Sequence, residues 1–321
     1  MSPASRATRA VVATAYGAPE VLELVEVDVP EPGPGHVAVD VRAAGTNPAD
    51  VKAYNGTWGR DPAKLPMRLG FEASGVVTAV GPDATGPVGP VAVGDEVVVF
   101  RTSGAYAERI VVPASAVLPK PASLTWAQAA GLLLTGGTAT HTVVATAVRD
   151  GDTVLVHGAT GGVGLMAVQL AVDAGARVIG TAGESGHDLL RELGAEPVTY
   201  GAGLADRVRA LAPSGVDAAI DTVGTDEAVD VSLELVADRQ RIATIAAFGR
   251  GAELGITLLG GGPGADPGEQ IRMPARATLL EQAGQGRLRV LVAAEFALAD
   301  VAAAHRTLMG HHAPGKIVLV T

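Results

Sequence analysis

The feature that most constrains the fold is an apolar run that passes directly into a glycine-rich loop, in the segment Val154–Gly164. A helical pattern follows the loop without a spacer, and strand-like and helix-like segments alternate from there on. The predicted strands are Thr153–His157, Arg177–Thr181, Val216–Asp221 and Arg241–Ala246, and the predicted helices are Val163–Ala174, His187–Leu193 and Ala228–Leu235. This alternation indicates parallel βαβ units, and hence an α/β fold with a doubly wound parallel sheet.

The loop has the spacing of a dinucleotide-binding fingerprint, Ala159-x-Gly161-x-x-Gly164, with alanine in place of the first glycine. Glycine at 161 lets the backbone approach a pyrophosphate, and glycine at 164 lets the helix pack close to the strand. The helix N-terminus then presents N–H groups and a positive dipole end to the phosphates. The predicted cofactor contacts are Ala159, Thr160, Gly161, Gly162, Val163 and Gly164. The alternative is a glycine-rich turn in some other α/β protein.

The end of the second predicted strand indicates which cofactor is preferred. NAD-binding sites usually carry an acidic residue there, which binds the ribose diol. This chain has Gly180-Thr181-Ala182 instead, and the small neutral Thr181 leaves room for a 2′-phosphate. Ser185 and His187 follow and are predicted to bind that phosphate, although Glu184 would repel it. NADPH is therefore the predicted cofactor; an exposed position at a helix start is the alternative for His187.

The first third of the chain is predicted to be β-rich, with Gly and Pro punctuating short strands in the manner of a small barrel or sandwich. Its predicted strands are Ala10–Thr14, Leu22–Val27, Val37–Ala43, Gly75–Val80 and Glu96–Phe100. Thr125 and Gln128 have capping-box spacing and predict a helix start. After a loop at Gly260–Gly268, the predicted elements are a helix (Pro274–Gln285), a strand (Leu288–Ala293), a helix (Leu298–Met309) and a strand (Lys316–Val320).

Composition excludes several function classes. The 321 residues suggest two domains or one large one, and a net charge of -10 argues against nucleic acid as a partner. The chain contains no cysteine, which excludes disulfides, thiolate metal sites and a cysteine nucleophile. The first residues lack the apolar stretch of a signal peptide, and no run approaches the length of a membrane span. A cytoplasmic protein without a membrane partner is therefore expected.

Several separated motifs follow one another in a recognisable order. They are Ala44-Gly-Thr-Asn-Pro-Ala-Asp50, Gly70-Phe-Glu-Ala-Ser-Gly75, Gly136-Gly-Thr-Ala139, the loop 157–164, the segment Arg241–Gly249 and Gly315-Lys-Ile-Val318. Through them the whole chain resembles the zinc-independent quinone oxidoreductases of the medium-chain dehydrogenase/reductase superfamily. The resemblance implies a GroES-like β-barrel domain at 1–122, a Rossmann NADP-binding domain at 123–262, and a segment at 263–321 that returns to the first domain. It also implies an active site in the interdomain cleft.

The resemblance further implies individual roles. Asn47 would lie near the nicotinamide ribose and Thr138 beside the nicotinamide ring, while Tyr200 would line the phosphate side of the adenosine. The other implied cofactor contacts are Val223, Gly224 and the segment from Ala246 to Phe248. Ordinary packing is the alternative for each of them. For Asn47, which precedes Pro48, capping of the following turn is a specific alternative.

The chain departs from the zinc-containing alcohol dehydrogenases of the same superfamily. Those enzymes carry a cysteine after the Ala-Gly pair and a His-Glu pair in the second motif, where this chain has Thr46-Asn47 and Phe71-Glu72. No metal site is therefore predicted. Without zinc, hydrogen-bond donors must stabilise the charge that develops on a substrate oxygen. Asn47, Thr138 and the 2′-hydroxyl of the cofactor itself are the predicted donors, and water or Tyr54 is the predicted proton source.

The substrate pocket is predicted to include Tyr54 and Trp58, which would lie one turn apart if their segment is helical. Packing at a domain boundary is the alternative for Trp58. The leading function is reduction of a quinone by NADPH; reduction of conjugated enones or enals, and NADPH binding without turnover, stay open. The resemblance also implies a homodimer joined through an edge strand at Glu253–Leu259, the alternative being a monomer whose following loop covers that edge.

Overall fold

The computed structural model describes residues 5–321, and they divide into two compact units. The first unit contains the chain up to Leu134 together with Leu280–Thr321, and the second is Thr135–Leu279. These limits differ from the predicted 122/123 and 262/263. Two helices (Trp126–Ala130 and Glu269–Gly284) lie at or beyond the predicted limits, and periodicity alone does not tell which core such a helix joins.

The strands, in chain order, are β1 (Ser5–Ala13), β2 (Leu22–Pro30), β3 (His36–Gly45), β4 (Met67–Arg68), β5 (Glu72–Val80), β6 (Thr85–Gly86), β7 (Gly89–Pro90), β8 (Glu96–Phe100), β9 (Arg109–Pro113), β10 (Val117–Pro119), β11 (Thr153–His157), β12 (Arg177–Ala182), β13 (Ala195–Thr199), β14 (Ala218–Asp221), β15 (Ile242–Thr244), β16 (Thr257–Leu258), β17 (Val292–Ala297) and β18 (Lys316–Val320). The α-helices are α1 (Pro48–Tyr54), α2 (Trp126–Ala130), α3 (Leu133–Ala145), α4 (Gly162–Asp173), α5 (His187–Glu192), α6 (Leu204–Leu211), α7 (Asp226–Leu235), α8 (Phe248–Leu254), α9 (Glu269–Gly284) and α10 (Val301–Met309).

The second unit is built on a six-stranded sheet in the order β13-β12-β11-β14-β15-β16, and all of its pairings are parallel. Numbered within the unit, this is the 3-2-1-4-5-6 order of the Rossmann fold, so the predicted doubly wound sheet is confirmed. The order reverses between β11 and β14. Ligands of such sheets bind at the carboxyl ends of the strands beside this switch point, which is where the glycine-rich loop follows β11.

The first unit has a three-stranded sheet in the order β2-β1-β4 and a seven-stranded mixed sheet that contains β3, β5 and β18. Strand β3 is central because its first half pairs with β9 while its end, Ala43–Gly45, pairs with β18. The C-terminal strand is thereby placed next to the turn that carries Thr46 and Asn47. The predicted helix start at Thr125 is confirmed: Thr125 Oγ1 accepts from Gln128 N–H, and Gln128 Oε1 accepts from Thr125 N–H.

Several element predictions were wrong or incomplete. The strand predicted at 288–293 is β17 at Val292–Ala297, and helix α8 occupies Glu253 and Leu254, which were predicted as an edge strand. Strand β13 and helix α6 were not predicted; in β13, Glu196 and Pro197 interrupt the apolar pattern. Helix α1 ends at Tyr54, so it does not extend to Trp58.

The edge of the parallel sheet at β16 is partly covered by the loop that follows it. Asp266 N–H donates to Leu258 O at 2.9 Å, and Gly260 N–H donates to Asp266 O at 2.8 Å. These bonds continue the ladder beyond β16. Among residues 5–321, no helix combines the length and the apolar character needed to cross a bilayer.

Candidate functional site

The glycine-rich loop of the second unit connects β11 to the 12-residue helix α4 in a tight turn, with Gly161 as the residue before the helix. Gly158 has a φ of +69°, which favours glycine. A Cβ at Gly164 would lie 2.1 Å from Gly158 O, so no side chain fits there. A Cβ at Gly161 would meet only Gly158 O, at 3.3 Å, a tight contact that a small shift of the loop relieves. The loop can therefore take a phosphate group against its backbone at the N-terminus of α4.

Thr181 holds this loop in place. Its Oγ1 accepts from Gly158 N–H at 3.1 Å, and its carbonyl oxygen accepts from Ala159 N–H at 3.0 Å. The side chain is buried and directed at the loop, and the room that this small residue leaves for a 2′-phosphate stays a prediction. Thr222, which sequence reasoning missed, holds the loop from the other side by donating to His157 O at 2.7 Å.

The structure gathers Ser185, His187 and Tyr200 near the carboxyl ends of β12 and β13. The turn Glu184–Gly186 packs against the loop, since a Cβ at Gly186 would lie 2.6 Å from the Thr160 methyl group. Ser185 is exposed, Tyr200 is 54% exposed, and His187 Nε2 lies 3.4 Å from Thr199 Oγ1. Hydroxyl and imidazole groups at such a place can bind a phosphate.

A second group of turns follows β14 and β15. Gly224 has a φ of +78°, and a Cβ there would lie 2.7 Å from the Ala246 methyl group, so Val223, Gly224 and Ala246 are brought together. Phe248 begins α8 and packs against the loop near Gly262.

Asp221 and Thr244 hold these two turns, and sequence reasoning missed both. Asp221 Oδ1 accepts from the N–H groups of Val223 and Gly224 at 2.9 and 2.8 Å, and Asp221 Oδ2 accepts from Thr244 Oγ1 at 2.7 Å. Thr244 Oγ1 in turn accepts from Ala246 N–H at 3.1 Å. The available signal was a polar residue at the carboxyl end of two neighbouring parallel strands.

Asn47, in the first unit, is the residue before helix α1, as the capping alternative proposed. Its N–H donates to Asp50 Oδ2 at 3.0 Å, and its amide nitrogen donates to Gly45 O at 3.3 Å and to Glu72 Oε1 at 3.2 Å. Both amide hydrogens are therefore engaged, and the structure does not favour Asn47 as a donor to a substrate oxyanion. Its Oδ1 accepts one hydrogen bond, from Lys316, and keeps a second acceptor site.

Lys316 and Glu72 form a buried ion pair beside Asn47. Lys316 Nζ donates to Asn47 Oδ1 at 2.6 Å, to Thr46 O at 2.8 Å and to Glu72 Oε1 at 3.1 Å. Glu72 Oε2 accepts from Leu134 N–H at 2.9 Å. The side chains of Lys316 and Glu72 are 5% and 0% exposed, so every polar atom of the pair needs the partner it has. Both residues belong to motifs that were recognised in the sequence, but nothing in the sequence predicted that they form an ion pair.

Tyr54 lies in the core of the first unit and is fully buried. Its hydroxyl lies 3.1 Å from His305 Nδ1, and burial beside Asp50 raises the pKa of Tyr54 to about 12. Trp58 follows the end of α1 and is 45% exposed. The predicted pairing of the two on one pocket wall is therefore not found, and the burial of Tyr54 does not favour it as a proton source. Thr138 lies buried on α3, in the second unit.

Two buried histidines make stability depend on pH. Burial lowers the pKa of His157 and of His305 to about 4, from an ordinary value near 6.5. A base with a lowered folded-state pKa stabilises the protein above its unfolded-state pKa, and this contribution is lost as the pH falls towards the folded value.

The variant His157→Gln keeps an N–H donor for Ser232 but cannot take up a proton. As the pH falls from 6.5 to 4, we expect the free energy of unfolding of the wild type to decrease by about 3 kcal/mol relative to that of this variant. The measurement is the free energy of unfolding by denaturant at both pH values. The variant His305→Gln, which replaces the second buried histidine, should change relative to the wild type in the same direction. A difference between variant and wild type that does not change with pH would contradict the assignment.

Within residues 5–321, no three or more His, Asp or Glu side chains are grouped so that they could hold a metal ion.

Comparisons with known proteins match one domain family within each of the two units. Residues 33–122 match the alcohol dehydrogenase GroES-like domain family, and residues 162–260 match the family described as zinc-binding dehydrogenase. The human quinone oxidoreductase is 30% identical over 342 aligned positions, which cover all of both chains. The mouse synaptic vesicle membrane protein VAT-1 homolog is 36% identical over 222 positions, covering 67% of this chain but only about half (53%) of that relative.

Solved structures with the same fold include an NAD-dependent alcohol dehydrogenase, with a TM-score of 0.85 at 33% identity, covering 98% of this chain and 99% of that one. The Escherichia coli quinone oxidoreductase complexed with NADPH has a TM-score of 0.84 at 25% identity, covering 98% and 100% of the two chains.

Proposed function

Because this chain belongs to the quinone oxidoreductase-like branch of the medium-chain dehydrogenase/reductase superfamily, we propose that it is an NADPH-dependent, zinc-independent quinone reductase. The observation that carries the cofactor part is the backbone cradle at Gly158–Gly164. A Cβ on Gly164 would overlap the loop backbone, while a Cβ on Gly161 would meet a single atom, Gly158 O, at 3.3 Å. The quinone part rests on relatives named quinone oxidoreductase that align over 95% and 100% of this chain.

The residues at the ends of β12 and β13 fit NADPH better than NADH. Strand β12 ends at Ala182 without an acidic side chain, and the nearest carboxylate, Glu184, lies two residues further on in the following turn. Ser185, His187 and Tyr200 offer hydrogen-bonding groups for a 2′-phosphate, and Gly161 admits the pyrophosphate. The nicotinamide, when bound, supplies the hydride. A preference for NADH is the second candidate, since one similar structure is that of an NAD-dependent alcohol dehydrogenase.

The other side chains are proposed to bind the cofactor ribose and the substrate oxygen. Asn47 is proposed to accept a ribose hydroxyl through Oδ1, with Lys316 and Glu72 fixing its amide. Thr138 stays the proposed donor to the substrate oxygen, and water is the proposed proton source, since Tyr54 is bonded within the core.

Zinc independence is supported by the Lys316 ammonium group, which occupies the position between Asn47 and Glu72. The Lys316 ammonium is surrounded by oxygens of Asn47, Thr46 and Glu72, and the chain has no cysteine. Oxidation of NADPH by a simple 1,4-quinone at the same rate with and without a metal chelator is the test, and loss of the rate with chelator would refute zinc independence. The homodimer and the cytoplasmic location stay predictions.

His187 is expected to contribute to the binding of NADPH but not to that of NADH. Changing His187→Ala should weaken NADPH binding by about tenfold, because a donor to a doubly charged phosphate is lost, and leave NADH binding unchanged. Fluorescence titration with both nucleotides measures this, with His36→Ala in the first unit as a control. Equal loss for NADPH and NADH would mean that His187 does not contact the 2′-phosphate.

A further inference from the structure

Four fully buried side chains in the first unit form one chain of hydrogen bonds that the proposed reaction does not use. Tyr54 Oη lies 3.1 Å from His305 Nδ1, and His305 Nε2 lies 3.3 Å from Tyr106 Oη. The Tyr106 hydroxyl is hydrogen-bonded to Asp50. The His305 ring also packs edge-on against Tyr106, with ring centres 5.7 Å apart. Buried polar groups are retained where each has its partners, so the order of donors can be worked out.

An ionised Asp50 fixes the direction of every bond in this chain. The carboxylate can only accept, so Tyr106 donates its hydroxyl hydrogen to Asp50. The Tyr106 oxygen then accepts from His305 Nε2–H, which leaves His305 Nδ1 to accept from Tyr54. This order requires a neutral His305, and burial keeps it neutral by lowering its pKa to about 4.

Asp50 connects the two segments that carry Asn47 and Glu72. Its Oδ2 accepts from Asn47 N–H at 3.0 Å, and its Oδ1 accepts from Gly70 N–H at 2.9 Å. Gly70 has a φ of +97°, and a Cβ there would lie 2.6 Å from the Tyr106 ring, so the contact depends on glycine. One carboxylate thus joins the Asn47 turn to the segment leading into β5, where Glu72 accepts from the Asn47 amide.

We propose that Asp50 is a positioning residue for Asn47: its carboxylate holds the Asn47 and Gly70 backbone together, and the Tyr106–His305 pair holds the carboxylate. The consequence for catalysis rests on the proposed function, in which Asn47 binds the cofactor ribose. The titratable and charged groups around Asp50 are Tyr54 on its own helix, Tyr106, His305 on α10, Lys316 on β18 and Glu72 on β5.

The hold of the Asp50 carboxylate on Asn47 is sensitive to pH near neutrality. Burial raises the pKa of Asp50 to about 7, while the bonds from Tyr106, Gly70 and Asn47 and the charge of Lys316 oppose that rise. Protonation turns one acceptor oxygen into a donor, so one of the three bonds must be lost or reversed. Asn47 is therefore held best above pH 7, and its hold weakens as the pH falls.

The first readout needs no activity. In ¹⁵N-labelled wild type, the amide signals of Asn47 and Gly70 are expected to shift together with one midpoint near pH 7, and the shift should be absent in Asp50→Asn. In Tyr106→Phe the midpoint should rise by about one pH unit, because a bond that favours the carboxylate is lost. Tyr16→Phe, which removes an exposed hydroxyl bonded to Asp61, should keep the wild-type midpoint. Amide signals that do not respond to pH in the wild type would overturn the proposal.

The second readout is the pH profile of NADPH-dependent quinone reduction. The rate should rise through pH 7 in the wild type, while Asp50→Asn should have a flat profile with kcat lowered roughly tenfold and a weaker affinity for NADPH, because Asn47 no longer holds the cofactor ribose in place. A persisting rise in Asp50→Asn would overturn the link to catalysis. If the wild type oxidises no NADPH while both amides titrate, the proposed function fails and the hold of Asp50 on Asn47 stands.

Discussion

Replacing Gly164 with alanine is expected to lower the free energy of unfolding by about 3 kcal/mol and to abolish NADPH binding. The added Cβ would lie 2.1 Å from Gly158 O and 2.9 Å from Ala159 Cα. Both neighbours are backbone atoms of the loop that is proposed to hold the pyrophosphate. The loop must therefore move to admit even one methyl group.

The variant Gly161→Val tests the approach of the cofactor pyrophosphate separately from the packing of the loop. A Cβ at this position would meet only Gly158 O, at 3.3 Å, against 2.1 Å for a Cβ at Gly164, so the loss of thermal stability should be smaller than in Gly164→Ala. The branched side chain would nevertheless stand where the pyrophosphate must approach, and NADPH binding should weaken by roughly a hundredfold or more.

Thermal unfolding and nucleotide fluorescence, measured on both variants, test this pair. Gly33→Ala is the control, because nothing lies within 4 Å of its Cβ position and its φ is not positive. Unchanged NADPH affinity in Gly161→Val would refute the phosphate-binding role of the loop, whatever happens to the stability of Gly164→Ala.

Breaking the buried ion pair should have the second large effect. Lys316→Met leaves the Glu72 carboxylate buried without its cation, which typically costs about 3–5 kcal/mol. The double variant Lys316→Met with Glu72→Gln removes the uncompensated charge and should recover most of that loss. The glutamine can still accept from Leu134 N–H.

Denaturant unfolding of both single variants and the double variant gives the coupling free energy directly. The matched control is the exposed pair Arg306–Glu20, with side chains 54% and 64% exposed, where Arg306→Met should cost no more than about 1 kcal/mol. Additive losses in the double variant would mean that the two charges are not coupled and that Asn47 is not held by them.

The features that could be predicted from the sequence are those set by local pattern. The apolar run of β11 and the spacing of Gly161 and Gly164 specify a strand, a turn and a helix start within one short segment. The parallel sheet followed from the alternation of strands and helices. The Thr125 cap was predictable for the same reason, since donor and acceptor lie three residues apart.

The parts that could not be predicted depend on contacts between distant segments. Lys316 meets Asn47 across 269 positions of the chain, and His305 meets Tyr54 across 251. Thr181 was placed at the correct strand end, but its hydroxyl binds the loop, because the register of β12 against β11 decides where it points.

The most direct test of the proposed function is kcat/KM for NADPH oxidation with 1,4-quinones and with enones of similar size, run in parallel with NADH. We expect quinone-dependent turnover with NADPH to exceed that with NADH, and to exceed turnover with any enone. Turnover only with enones would contradict the substrate class, and oxidation by none of them would contradict catalysis itself.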